Sequence, residues 1–203
     1  MNTKQITTII LFLLLNIAAV FGQIRKTITL SENWKFQKGN ATNAFHQDFN
    51  DDTWQTVTVP HDWAIYGPFD KEVDKQNVKI VQNGETVPSE KTGRTGALPH
   101  IGSAWYRTNF TLSAEETSKK ILILFEGAMS EPEIFLNGKK VGEWKYGYSY
   151  FYFDISKHIV SGKNTLAVKL TNKEFASRWY PGAGLYRNVR ILLKNHENIA
   201  QWG

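Results

Sequence analysis

Trp105-Tyr106-Arg107-Thr108-Asn109-Phe110-Thr111-Leu112 decides the fold class. Trp105, Arg107, Asn109 and Thr111 fall on one side and Tyr106, Thr108, Phe110 and Leu112 on the other, the period of two that belongs to a β-strand. Outward from it, short segments rich in β-branched and aromatic residues recur between turn signals. Upstream lie Ile28 to Leu30, Trp34 to Phe36, and Thr56 to Val59, which Pro60 stops. Downstream, Ile121 to Glu126 is an apolar run, and Glu133 to Leu136 enters the Asn137-Gly138 hairpin signal that Lys140 to Trp144 leaves. Tyr148 to Ile155, Thr165 to Thr171 and Asn188 to Leu193 follow, with Ser161-Gly162-Lys163-Asn164 as a turn between the first two. Helical periodicity is confined to Ser113 to Lys120, where Ser113 and Glu116 have capping-box spacing. About eight or nine short strands predict an all-β chain, an antiparallel β-sandwich of the jelly-roll, galactose-binding-like type.

One segment breaks this rhythm. Residues 69–101 are polar, contain Pro88 and Pro99 with Gly84, Gly93 and Gly96, and follow directly on Pro68. A connection of that length inside a sandwich is a functional loop or a mobile surface insertion. Within it, Val78 to Val81 before Asn83-Gly84 predicts a small hairpin.

Composition and address narrow the function classes. Hydrophobic content of 41% with seven Trp marks a folded chain whose aromatic density suits sheets and carbohydrate contact. Lys4 followed by the apolar run Ile9 to Phe21 reads as an export signal, residues 1–22, cleaved after Gly22, which predicts a periplasmic or secreted protein with no membrane attachment after cleavage. The absence of cysteine removes disulfides, thiolate metal sites and a lipid-modified anchor. Asn40-Ala41-Thr42 and Asn109-Phe110-Thr111 match the glycosylation pattern, which matters in a eukaryotic secretory route alone. Without residues 1–22 the chain carries 23 basic against 19 acidic residues, a net of +4, and no run of five like charges, so nucleic acid is not an expected partner.

The densest stretch is Ser177-Arg178-Trp179-Tyr180-Pro181-Gly182-Ala183-Gly184-Leu185-Tyr186-Arg187-Asn188. Proline and glycines turn the backbone, while Trp179, Tyr180 and Tyr186 present flat faces with polar handles that suit the CH face and hydroxyl edge of a sugar. The same composition also suits an aromatic corner closing a sandwich.

Taken together, several landmarks fall in a fixed order: Asn33-Trp34-Lys35-Phe36, Phe49-Asn50-Asp51-Asp52-Thr53-Trp54, Val59-Pro60-His61-Asp62-Trp63, Gly102-Ser103-Ala104-Trp105-Tyr106-Arg107, Ile134-Phe135-Leu136-Asn137-Gly138-Lys139, Asn164-Thr165-Leu166-Ala167-Val168 and the aromatic stretch. The series resembles the N-terminal sugar-binding domain of glycoside hydrolase family 2, and most of all exported β-galactosidase-type members from Bacteroidetes. The resemblance covers nearly the whole of residues 23–194. It implies that an immunoglobulin-like domain and then a (β/α)8 barrel lie beyond residue 203, with the chemistry in the barrel and residues 195–203 opening the linker, and that this chain is a fragment without hydrolytic activity of its own.

By the same resemblance, Asp62, Asn172 and Arg178 are the expected substrate-binding residues, a carboxylate, an amide and a guanidinium suited to sugar hydroxyls. Each also has a structural alternative: Asp62 as a loop brace, Arg178 as partner of an acidic residue. Thr171-Asn172-Lys173-Glu174-Phe175 stands where relatives often carry Asp-Asn and a short proline-containing stretch. His61 reads as a packing residue, and neither a metal nor a cofactor is expected, because no second ligand stands at ligand spacing.

A retaining glycosidase needs two carboxyl groups about 5 to 5.5 Å apart with pKa values driven apart. Of the 19 acidic residues, Glu126, Glu131, Glu133 and Asp154 are the candidates, and nothing in the pattern marks such a pair. The expected partner is carbohydrate of the β-galactoside type, together with the absent domains. An autonomous, lectin-like carbohydrate-binding module is the competing expectation.

Overall fold

The longest strands fix the architecture. In the computed structural model, which describes residues 25–93, 96–174 and 182–202, β6 (Gly102–Leu112) pairs antiparallel along its whole length with β11 (Gly162–Asn172). Around this pair a six-stranded sheet grows through β2 (Trp34–Lys38) and β3 (Gln55–Val57) on one side and β8 (Glu133–Leu136) and β9 (Lys139–Glu143) on the other, in the order β3-β2-β6-β11-β8-β9. A four-stranded sheet of β1 (Lys26–Thr29), β12 (Val189–Lys194), β7 (Lys120–Phe125) and β10 (Phe151–Asp154), in the order β1-β12-β7-β10, packs against it. All described pairings are antiparallel, and the result is the expected β-sandwich.

Alternation of side chains explains which faces meet. Tyr106, Phe110 and Leu112 of β6, with Leu166, Val168 and Leu170 of β11, point into one core with Ile121, Ile123 and Phe125 of β7 and Ile191 and Leu193 of β12. Each such side chain taken from water contributes on the order of 1.5–3 kcal/mol, so this interleaving is the main driving force for the fold. Trp34 is fully buried and uses its indole N–H on the Leu30 carbonyl at 3.0 Å, so its one polar atom costs nothing.

The opposite face of the large sheet is covered too. Trp105 and Ala167 meet Ala44 and Trp54 in a second small core beneath the segment between β2 and β3. Arg107, 3% exposed, reaches up from the same face. Its Nε donates to Asp51 Oδ2 at 2.7 Å, its Nη1 donates to the carbonyls of Ala44 and, at 2.9 Å, His46, and its guanidinium lies 5.4 Å from the Phe49 ring centre. On the small sheet, Leu122, Leu124 and Leu192 form a third buried group, out of register with the main core by one residue.

The turns follow their residues. Asn137 and Gly138 have φ of 50° and 80°, the backbone of a type I′ hairpin between β8 and β9. Ser113 and Glu116 form the expected capping box at the start of α1 (Ala114–Thr117), with Ser113 Oγ accepting from Glu116 N at 3.1 Å and Glu116 Oε2 accepting from Ser113 N at 2.8 Å. Residues 69–101 hold a separate two-stranded ribbon of β4 (Lys75–Val78) and β5 (Ser89–Thr92). The hairpin thus lies wider than the sequence predicts: Val81–Asn83 form a 3-10 turn closed by Gly84 at φ 75°. Ion pairs rather than apolar alternation hold the stem, Lys75 to Glu90 at 3.2 Å and Lys91 to Glu85 at 2.5 Å. Tyr148 to Tyr150 also stand outside β10, in a turn. The predicted export signal lies outside the described residues, and no described helix is long and apolar enough to cross a membrane.

Candidate functional site

At one end of the sandwich three chain segments lie side by side. After Pro60 the backbone runs antiparallel to residues 183–185, with His61 N donating to Leu185 O and Trp63 N to Ala183 O, both at 2.8 Å. From the other side Met129 and Gly184 exchange two N–H···O bonds of 2.9 Å. Gly184 has φ 137°, and a Cβ there would collide with the His61 carbonyl oxygen and come within 2.6 Å of the Tyr106 hydroxyl. Glycine is what lets these three backbones meet.

Asp62 sits at this junction with its carboxyl half-buried. Oδ1 accepts the Ala64 N–H at 2.9 Å, an Asx turn, and the backbone N–H groups of Ala183 and Ile65 lie near enough to favour the ionised carboxylate. Burial outweighs these bonds and the nearby His61, so the carboxyl is held above the usual aspartate range. A carboxylate offers about four acceptor positions. With the Ala64 N–H on Oδ1, the carboxylate retains acceptor capacity on Oδ2. Gly182 brings no side chain against that oxygen: a Cβ on it would lie 3.3 Å from Asp62 Oδ2 and 3.7 Å from the Tyr186 ring.

Beneath the carboxylate is a short relay. Tyr106 is fully buried, its hydroxyl accepts the Leu185 N–H, and it shares a 2.7 Å hydrogen bond with His61 Nδ1. Burial raises the phenol's pKa and lowers that of the imidazole, so both partners of this bond are neutral at neutral pH. His61 also packs 4.8 Å from Phe36. It is a packing residue, as its sequence context predicts.

Asn172, the last residue of β11, is 4% exposed, and its Nδ2 donates to Gly182 O at 3.2 Å. Its Oδ1 is buried with no hydrogen-bond partner among the described residues. The structure therefore brings Asp62 and Asn172 together on the bend at Gly182-Ala183. Arg178, with Trp179 and Tyr180, lies outside the described residues. Tyr106, Gly182 and Gly184 are the contributors that the sequence pattern did not single out as site residues, although the glycine-rich bend that carries two of them was visible.

The other carboxylates have structural partners. Glu126 lies 2.8 Å from Arg190 and accepts from Asn188 Nδ2 at 2.9 Å; Glu131 pairs with Lys173 at 2.7 Å. Glu133 meets Lys140 and Lys169, and the Lys140 hydrogen bond holds its carboxyl below the usual range. Asp154 accepts from the Ser156 N–H and hydroxyl. No group of three metal-ligating side chains occurs among the described residues.

The two-sheet antiparallel sandwich, with Asp62 and Asn172 on the bend at one end, can be set beside known proteins. The profile of "Glycosyl hydrolases family 2, sugar binding domain" matches residues 27–195. The chain belongs to glycoside hydrolase family 2, through its sugar-binding domain. It is 34% identical over 181 residues to the β-galactosidase BoGH2A of Bacteroides ovatus, covering 88% of this chain and 19% of that protein. It is 29% identical over 179 residues to a β-glucuronidase of Formosa agariphila, covering 81% and 17%. Among solved structures, a β-glycosidase from Bacteroides vulgatus superposes with a TM-score of 0.68 at 34% identity, over 84% of this chain and 20% of that one. The chain spans about a fifth of the length of these relatives.

Proposed function

We propose that this chain is the non-catalytic sugar-binding part of an exported, β-galactosidase-like family 2 glycoside hydrolase, secreted or periplasmic through its N-terminal 22 residues. Asp62 is the sugar-contacting group. The observation that carries this reading is the half-buried carboxylate fixed by the Ala64 N–H at 2.9 Å, with Gly182 bringing no side chain against its Oδ2. That arrangement presents one fixed acceptor to a substrate hydroxyl without needing the side chain to reorganise. Asn172 sets the far side of the same bend, and Arg178 is assigned by resemblance as a further donor to the sugar.

Hydrolysis itself is assigned to a (β/α)8 barrel outside this domain. In support, Glu126, Glu131, Glu133 and Asp154 are each tied to a cation or to Ser156, and the charge felt by Asp62 is that of His61, so none of these five residues stands as half of a raised-and-ionised carboxyl pair. The test is to express residues 23–203 and assay 4-nitrophenyl β-galactoside and β-glucuronide. No turnover above buffer is expected. Turnover that Asp62→Asn or Glu131→Gln abolishes would overturn the reading.

A further inference from the structure

Beyond Asp62 the exposed surface does not become ordinary. Tyr186, whose ring lies beside Gly182, donates its hydroxyl to Gly147 O at 2.8 Å, which ties the bend to the turn before β10. The Arg187 guanidinium lies 5.6 Å from the Tyr186 ring centre and 6.0 Å from that of Tyr150. Tyr150 in turn meets Trp202 edge-on at 6.4 Å, and Trp202 meets Tyr152 at 5.1 Å. Tyr150 is 48% exposed and Trp202 60%. These contacts trace an unbroken strip from the Asp62 carboxylate to the far edge of the small sheet.

We infer that this strip binds an oligosaccharide, so that the domain grips a glycan chain longer than the single sugar placed at Asp62. The ligand class rests on the sugar-binding reading above; the strip's location and length do not. Three features favour a glycan over a protein partner. The exposed rings are mainly tyrosines, which offer a flat apolar face and a hydroxyl at once, matching pyranose faces and edges. Arg187 stands over two rings, and a guanidinium so placed is suited to ring or hydroxyl oxygens. And the strip runs on from the carboxylate that the family's sugar-binding character already implicates, through Gly182, where a bare backbone lets a ligand pass close. Tyr146, 61% exposed on the same turn and felt electrostatically by Tyr186, flanks it.

The test is calorimetric titration of residues 23–203 with methyl β-galactoside, a β-1,4-linked galactotetraose, and a uronate-bearing β-linked tetrasaccharide. At least one tetrasaccharide is expected to bind about tenfold or more tighter than the monosaccharide, with Tyr150→Ala and Arg187→Ala each removing most of that gain, about the weight of one aromatic contact apiece. Unchanged melting temperatures will show that the variants fold, and Tyr146→Ala, at a still more exposed position, gives an independent arm. Equal affinities for one and four residues, no binding by any of the three glycans, or indifference to the strip variants would overturn the inference and leave the strip as a protein-docking surface. These failures are read by titration, whereas failure of the proposed function is read as hydrolysis by the chain, so the two are separable.

Discussion

Asp62 and Asn172 stand at the two ends of a single peptide group. The Ala183 N–H faces the Asp62 carboxylate and favours its ionised form, and the Asn172 amide donates to the C=O of Gly182 at 3.2 Å, so the Gly182-Ala183 unit is flanked by residues 110 positions apart in sequence. Asp62→Ala and Asn172→Ala are each expected to cost about 1–2 kcal/mol, the weight of a buried hydrogen bond whose partner is left unpaired. Because both act on one peptide, the double variant should lose less than the sum, by about 0.5 kcal/mol or more. Urea denaturation of the four proteins checks this, and strict additivity would show that the two side chains do not share the bend.

Gly184 is the position where substitution should be worst tolerated. Its φ of 137° is open to glycine alone, and any side chain would meet the His61 carbonyl and the Tyr106 hydroxyl. Gly184→Ala should destabilise the chain by about 2–4 kcal/mol. The local sign is the amide resonances of His61 and Met129, which should shift together because both segments lie against Gly184. Gly182 lacks positive φ and faces open space apart from Asp62 and Tyr186. Gly182→Ala should therefore fold with a loss of about 1 kcal/mol or less, while crowding the Asp62 oxygen.

Much of this was legible beforehand, for physical reasons that differ from residue to residue. Trp105 to Leu112 declared a strand because its pattern alternates, Asn137-Gly138 declared a hairpin because few pairs accept two positive φ values, and Ser113 with Glu116 declared a helix start because their bonds are local. What alternation cannot say is whether the second face is also covered. Arg107 reads as a solvent residue, and only the return of residues 39–54 over the sheet makes it a buried hub. The β4–β5 stem was misplaced because its stability comes from Lys75, Lys91, Glu85 and Glu90, which carry no strand signature. At the site, Asp62 was visible through its motif, but its meeting with Asn172 depends on long-range pairing.

Arg107 supplies the next prediction. Its fork satisfies the Ala44 and His46 carbonyls as well as Asp51, and lysine, with one rotating ammonium, cannot reproduce that set. Arg107→Lys should cost about 2–3 kcal/mol and Arg107→Ala about 3–5 kcal/mol, since truncation leaves Asp51 and several carbonyls without a donor. As residues 39–54 lift, Trp54 and Trp105, 7% and 4% exposed, should become accessible. Red-shifted emission with increased acrylamide quenching, while the main core still melts cooperatively, is the expected result.

The His61–Tyr106 pair sets a pH dependence whose sign follows from burial. His61 titrates in the folded chain below its reference value of 6.5. Between the two values the unfolded chain holds a proton that the folded chain does not, so stability rises with pH through this window and is flat above 6.5. Asp62 acts oppositely. Its folded value lies above the reference 3.8, so from 3.8 upward the folded chain keeps a proton that the unfolded chain has lost, and stability falls as pH rises through that window. The two effects can be separated by His61→Gln, which retains a hydrogen-bond partner for the Tyr106 hydroxyl but does not titrate. Between pH 8 and pH 5.5 the wild-type melting temperature should drop more than that of the variant, because losing a proton-free, buried imidazole costs the wild type alone. Parallel curves for the two proteins would mean that His61 keeps its ordinary affinity for protons despite its place between Phe36 and Tyr106.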